Sequence, residues 1–127
     1  MECLFCKIVN RNIPADIVYE NKKILAFKDI NPLAPVHILI IPKNHIPSIA
    51  DIKEKDIKLI GEMIFIAKKI ADNFGISEGG YKLLFRVHRH GGQVIEHVHL
   101  HLIGGAPLFE DIHPINKSES QNKGENN

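Results

Sequence analysis

Residues 96–105 read EHVHLHLIGG and place His97, His99 and His101 at alternate positions, separated by Val98 and Leu100 and followed by Leu102. Three of the 8 histidines in 127 residues thus fall within one short segment. Strict alternation of polar and apolar residues over so short a run is the pattern of a half-buried strand. Residues i, i+2 and i+4 of a strand share a face. The spacing therefore predicts three imidazoles in a row, with Val98, Leu100 and Leu102 in the core behind them and Gly104-Gly105 ending the strand. Imidazole offers a nitrogen lone pair near neutral pH. Such a row can ligate a catalytic metal that keeps open positions, or act directly as nucleophile and proton donor. No H-x-H-x-D-H pattern supports the metal.

A second group of reactive side chains is Cys3 and Cys6, a C-x-x-C and the only cysteines in the chain. A disulfide across so short a loop constrains little. A thioredoxin-like motif follows a strand, and no strand fits before residue 3. Metal binding or two reduced thiols remain.

The elements that must position these groups can be read in order. LFCKIV, residues 4–9, suits a short helix, with Asn10, Asn12, Pro14 and Asp16 as breakers after it. IVYE at 17–20 and ILAFKDI at 24–30 read as strands joined through Asn21-Lys22-Lys23. NPLAPV is a loop, and HILIIP at 37–42 is a buried strand, with Pro42 and Pro47 bounding the turn that carries His45. One long helix is predicted over 51–74. Asp51 is its expected N-cap with Glu54 three residues on, and Ile57, Ile60, Ile64, Ala67, Ile70, Ala71 and Phe74 form the buried face. Gly75 follows as C-cap. YKLLFRV at 81–87 is the next strand, HRHGGQ a turn, and the histidine strand then pairs back as a hairpin. The sum is an α+β domain over residues 1–115 with an antiparallel sheet. NKSESQNKGENN, residues 116–127, has no apolar residue and is expected to be a disordered polar tail.

Composition narrows the partners. A net charge of +1 gives no broad electrostatic footprint for nucleic acid or membrane. No apolar run approaches a membrane span. Glu2, Lys7, Arg11 and Asp16 interrupt any signal-peptide core, so a cytoplasmic protein is expected.

The run HGGQVIEHVHLHLIGG resembles the signature of the histidine-triad (HIT) superfamily, in its Hint-like branch. FKDINPLAPVHILIIPKNH at 27–45, CLFCKIVNRNIPADIVYE at 3–20 and GGYKLLF agree with it in order, so the resemblance covers about residues 3–106. It implies an antiparallel sheet of about five strands with one short and one long helix, usually continued across a homodimer. It further implies hydrolysis or transfer at the α-phosphate of a purine nucleotide through a nucleotidyl-histidine intermediate, with no metal required for catalysis. His99 would be the nucleophile, its other ring nitrogen held by a backbone carbonyl. His101 would sit beside the phosphate, and His97 and His37 would complete the catalytic set. Asp29 matches the ribose-binding acid, whose two oxygens can accept both hydroxyls. Leu4, Phe5, Ile8, Ile13, Phe27, Ile30 and Leu39 match the base pocket, each also suited to ordinary core packing. Gly91, Gly92 and Gln93 would bring backbone N–H groups to phosphate. Some relatives carry a structural zinc, and its ligands would here be Cys3, Cys6, His45 and His97.

Two positions depart from the pattern. Arg86 stands where Asn is common, and Val94 where Ser or Thr is common. Val94 cannot donate a hydrogen bond to a leaving group. Arg86 could bind phosphate oxygens, or pair with Glu96 across the hairpin. These departures keep two other functions in view, a dinucleoside polyphosphate hydrolase and a nucleotide-binding scaffold with little turnover.

Overall fold

The computed structural model describes residues 3–115; the polar tail lies outside the described residues. The elements are α1 (Leu4–Val9), β1 (Ile17–Glu20), β2 (Ile24–Lys28), β3 (Val36–Pro42), α2 (Ile57–Asn73), β4 (Tyr81–Phe85) and β5 (Leu100–Gly104). The strands form one sheet in the order β1-β2-β3-β5-β4, with every neighbouring pair antiparallel. This is the expected α+β architecture of five strands, one short helix and one long helix.

Each helix covers one face of the sheet. Ile24, Ala26, Ile38, Ile40, Leu100 and Leu102 pack against Met63, Ile66, Ala67, Ile70 and Ala71 of α2. The intervening residues Leu25, Phe27, Leu39 and Ile41 pack on the other face with Phe5 and Ile8 of α1. The two-residue period of the strands thus sorts each side chain to one helix or the other. Val98 joins the α2 side, which leaves His97, His99 and His101 on the α1 side as the alternation predicts.

Helix α2 starts later than the sequence suggests. Asp51 closes a single 3₁₀ turn, Ile49–Asp51, and is not the N-cap of the long helix. Ile52 and Lys53 are extended, and Asp56 then accepts the Lys53 N–H at 2.9 Å. That contact closes a second 3₁₀ turn, Glu54–Asp56, two residues downstream of D-I-K-E, and this turn leads directly into α2, whose N-cap Asp56 makes no side-chain cap bond. The C-terminal end follows expectation. Gly75 has φ +73°. Its N–H bonds the Asp72 carbonyl, and the Ile76 N–H reaches the Ala71 carbonyl, at 3.1 Å each. That is a Schellman closure, with Ile76 packed into the same core.

The hairpin joining β4 to β5 is also longer than a tight turn. Strand β4 ends at Phe85 and β5 begins at Leu100, so His97 and His99 precede the ladder. Proline explains this. Continuing the register of Ile40 with Leu100 would set Val98 opposite Pro42, which has no N–H to donate. The Val98 N–H bonds the Ile46 carbonyl at 2.7 Å instead.

Candidate active site

His99 is buried, and its ring packs edge-on against Phe5 of α1 at 5.1 Å between centroids. Its Nδ1 lies 2.7 Å from the carbonyl oxygen of His97. A carbonyl only accepts, so Nδ1 carries the proton and Nε2 carries the lone pair. That Nε2 is buried without a hydrogen-bond partner among the described residues. Burial, the largest influence on this ring, holds its pKa below the ordinary imidazole value. The lone pair is therefore present at neutral pH.

His101 is oriented by a second chain of bonds. The Leu33 N–H donates to His37 Nδ1 at 3.0 Å, so His37 is neutral there and protonated on Nε2. His37 Nε2 lies 3.0 Å from His101 Nδ1 and 3.4 Å from an Asp29 oxygen. The proton on His37 leaves His101 Nδ1 as acceptor, and the remaining His101 N–H on Nε2. Asp29, His37 and His101 also bring possible ligand atoms within 4.8 Å of one another. The Leu33 and His101 bonds use both nitrogens of His37, however, which fits a hydrogen-bond relay better than a metal site.

Asp29 connects this relay to an apolar cleft. One of its oxygens accepts the Asn31 N–H at 2.8 Å. The cleft is lined by Leu4, Phe5, Ile8, Ile13, Pro14, Ala15, Phe27, Lys28, Asp29, Ile30, Asn31 and Leu39. Every residue expected to bind the base or ribose therefore lies in one cavity, next to the triad. Ile30 is 87% exposed and Leu4 is 40% exposed, which places them at the mouth and leaves Phe5, Phe27 and Leu39 as the floor.

The other face of His97 belongs to a separate cluster. Cys3 Sγ lies 3.3 Å from His97 Nδ1, Cys6 Sγ lies 3.4 Å from His45 Nδ1 and 3.6 Å from His97 Nδ1, and the two nitrogens are 3.2 Å apart. Donor atoms around a tetrahedral zinc, at about 2.3 Å for sulfur and 2.0–2.1 Å for nitrogen, stand roughly 3.3–3.8 Å from one another. The four side chains fit such an ion. His97 Nε2 donates to the Pro42 carbonyl at 2.8 Å, the outer contact that turns Nδ1 toward a metal. Burial pulls the His97 pKa down to about 4. Burial and the neighbouring Cys3 sulfur push the Cys6 thiol up to about 11, a penalty that a divalent cation would remove. Cys3 caps α1 and accepts the Cys6 N–H at 3.3 Å, so the first helical turn is what brings both sulfurs together. With both ring nitrogens engaged, His97 serves the triad through its backbone carbonyl.

The turn before the triad is tied down by Gln93. Its side chain accepts from the His88 N–H and donates to the carbonyls of Pro47 and Ile95, at 3.0, 2.7 and 2.9 Å. Gly92 has φ +81°, and a Cβ at Gly91 would meet the Val87 carbonyl oxygen at 2.4 Å. Both glycines are required by this backbone. Val94 is 50% exposed. Arg86 forms no ion pair with Glu96 or any other acid among the described residues.

The partners at Leu33, Pro42, Pro47 and Ile95 are backbone groups, and side-chain spacing carries no signal for them. Asn31 had one available signal, because an Asp two residues before an N–H often closes an Asx turn.

The family described as scavenger mRNA decapping enzyme C-term binding matches residues 2–111. A purine nucleoside phosphoramidase of Escherichia coli K12 is 50% identical over 107 residues, spanning 84% of this chain and 90% of that protein. The crystal structure of a HIT family hydrolase from Legionella pneumophila Philadelphia 1 superposes with a TM-score of 0.83 at 51% identity, over 85% of this chain and 96% of that one. A histidine triad protein from Clostridium difficile gives 0.85 at 38% identity, over 88% and 97%. With these relatives and this arrangement of His97, His99 and His101, the chain belongs to the histidine-triad superfamily, in its Hint-like branch.

Proposed function

We propose that the protein hydrolyses, or transfers the nucleotidyl group of, purine nucleoside phosphoramidates and related nucleotidyl compounds. The observation that carries this reading is His99, whose Nδ1–H is spent on the His97 carbonyl and whose Nε2 has no partner among the described residues. The Escherichia coli relative, half identical in sequence, bears the name of that activity.

The base enters the cleft between α1 and β2, and the ribose hydroxyls bind Asp29, which holds the α-phosphorus over His99. Nε2 forms a bond to phosphorus while the bond to the leaving amine breaks and the amine nitrogen gains a proton from His101 Nε2. Water then attacks phosphorus, gives a proton back to His101, and releases the nucleoside monophosphate from His99. His37 keeps His101 in the donor tautomer. The Gly91-Gly92-Gln93 turn does not offer its N–H groups to phosphate as the sequence suggests, because they donate to the carbonyls of Val87, Arg89 and His88 at 3.2, 3.0 and 3.0 Å.

The cluster of Cys3, Cys6, His45 and His97 holds a structural zinc that ties α1 to the sheet and takes no part in the chemistry. Two thiolate ligands suit a reducing compartment such as the cytoplasm. Among the described residues, no helix is long and apolar enough to cross a membrane.

A homodimer with a continuous sheet is supported by two features. Strand β4 is an open edge of the sheet, and open edges are ordinarily covered. Ile57 and Ile64, expected from their spacing on the buried face of α2, are instead exposed together with Phe65, and Leu83 of β4 is exposed as well. Sedimentation is expected to give twice the chain mass, and a monomer at micromolar concentration contradicts the dimer.

The function is tested by incubating the protein with adenosine 5′-phosphoramidate at 25 °C, with and without a chelator. Release of AMP that persists in chelator is the expected result. Turnover that needs added metal ions places the chemistry on a metal and overturns the reading.

A further inference from the structure

Arg86 is the cation near the triad whose chemistry a phosphoramidate substrate leaves unused. Leu84 pairs with His101 and Phe85 with Leu100, so residue 86 falls next to His99 on the triad face. The turn closes over it from the other side. A Cβ built on Gly92 would lie 3.5 Å from Arg86 Nη1 and 3.7 Å from its Cδ. The side chain is half-buried, and its Nε is buried without a hydrogen-bond partner among the described residues. No carboxylate pairs with it there. Its charge also reaches the rings of His37 and His99, adding to the burial that lowers both pKa values.

A half-buried guanidinium with an idle donor is unfavourable until an anion completes it. Arginine stays charged at any working pH, so it is a poor proton donor and a good fixed fork for phosphate oxygens. The side chain of Val94, just after that turn, brings no donor either. These two residues bear on what can leave. An amine must gain a proton as its bond to phosphorus breaks. A phosphate leaves with the bonding pair as an anion and needs neutralisation instead.

We propose that Arg86 binds the leaving phosphate of nucleotidyl phosphoanhydrides, such as dinucleoside polyphosphates, and so extends the His99 chemistry from P–N to P–O–P bonds. This rests on the nucleotidyl-histidine reading above. His99 Nε2 bonds to the α-phosphorus, the bond from phosphorus to the bridging oxygen breaks, and the electron pair departs on that oxygen with the distal phosphate against Arg86. Water then attacks the α-phosphorus, the bond to His99 breaks, and a proton passes to solvent. The products are a nucleoside monophosphate and the shortened phosphate chain.

The test compares adenosine 5′-phosphoramidate with diadenosine tetraphosphate in the wild-type protein and in Arg86→Ala, Arg86→Lys and Arg86→Met. Wild type is expected to cleave both. Arg86→Ala is expected to lower kcat/KM for the anhydride by about 100-fold, the scale of losing one transition-state donor, and to shift the anhydride-to-amidate ratio by at least about 30-fold. Arg86→Lys restores part of the loss through its charge. Arg86→Met, without ligand, is expected to melt at or above the wild-type temperature, because it removes an uncompensated charge. A purely structural arginine would lower that temperature and reduce both activities alike. Equal losses on the two substrates, or no loss on the anhydride, overturn the proposal. So does a wild-type protein that cleaves the amidate through His99 and leaves the anhydride intact, with the function above still standing. Cleavage of neither substrate overturns that function and this inference together.

Discussion

His99→Ala lowers kcat by about four orders of magnitude or more, the scale on which nucleophile deletions act, while the nucleotide dissociation constant changes by only a few-fold. The two readouts separate because different residues carry them. The proposed attacking atom is His99 Nε2, kept unprotonated by the bond from Nδ1–H to the His97 carbonyl. The cleft depends on Leu4, Phe5, Ile8, Ile13, Phe27, Asp29, Ile30 and Leu39, none of which the substitution alters. His101→Ala falls less, by about 10²–10⁴-fold, the range for a general acid or base. AMP binding by isothermal titration and single-turnover hydrolysis check the pair. Activity of His99→Ala within tenfold of wild type removes His99 as nucleophile.

The second large effect is on stability. Cys6→Ser is expected to abolish stoichiometric zinc and to destabilise the fold by about 3 kcal/mol, well under the ~10–16 kcal/mol of a zinc-finger peptide. The loss is smaller because the core between the sheet and α2 contains none of the four ligands. For a domain of this size that is roughly a 10 °C drop in melting temperature. The cluster holds α1 through Cys3 and Cys6, and α1 supplies Phe5 and Ile8 to the cleft proposed to bind the nucleoside. Zinc loss is therefore expected to raise KM more than it lowers kcat. Metal analysis of the purified protein gives about one zinc per chain on this account. Absence of stoichiometric zinc after zinc loading, or a Cys6→Ser protein as stable as wild type, contradicts it.

The alternation around His97, His99 and His101 is a period-2 signal, which survives even where the strand ladder does not. It gives the correct face for all three rings although β5 starts only at Leu100. The apolar cleft is legible because its residues match a known pattern at eight positions, and all eight line one cavity. The start of α2 is harder to read. Asp51 and Asp56 both suit a cap, and the choice between them turns on extended backbone at Ile52 and Lys53. The groups that set tautomers are the least legible. The Leu33 N–H and the Pro42 carbonyl carry no side-chain identity, whereas the backbone carbonyl on His99 is expected from the family resemblance and is that of His97. Gln93 also departs from expectation: its N–H donates to the His88 carbonyl and its side chain braces the turn, so it shapes the site without offering phosphate a backbone donor. The separation of Arg86 from Glu96 follows from the register of β4 on β5, which sets residue 86 toward His99 and not toward Glu96, a register that the spacing of side chains does not reveal.

The most direct measurement of the central claim is rapid acid-free quenching of the protein with excess adenosine 5′-phosphoramidate, followed by mass spectrometry of its peptides. A nucleotidyl adduct is expected on the peptide carrying His99, forming and decaying at rates consistent with turnover and absent from His99→Ala. Steady turnover with no adduct at any quench time, or an adduct on another residue that persists in His99→Ala, contradicts the mechanism.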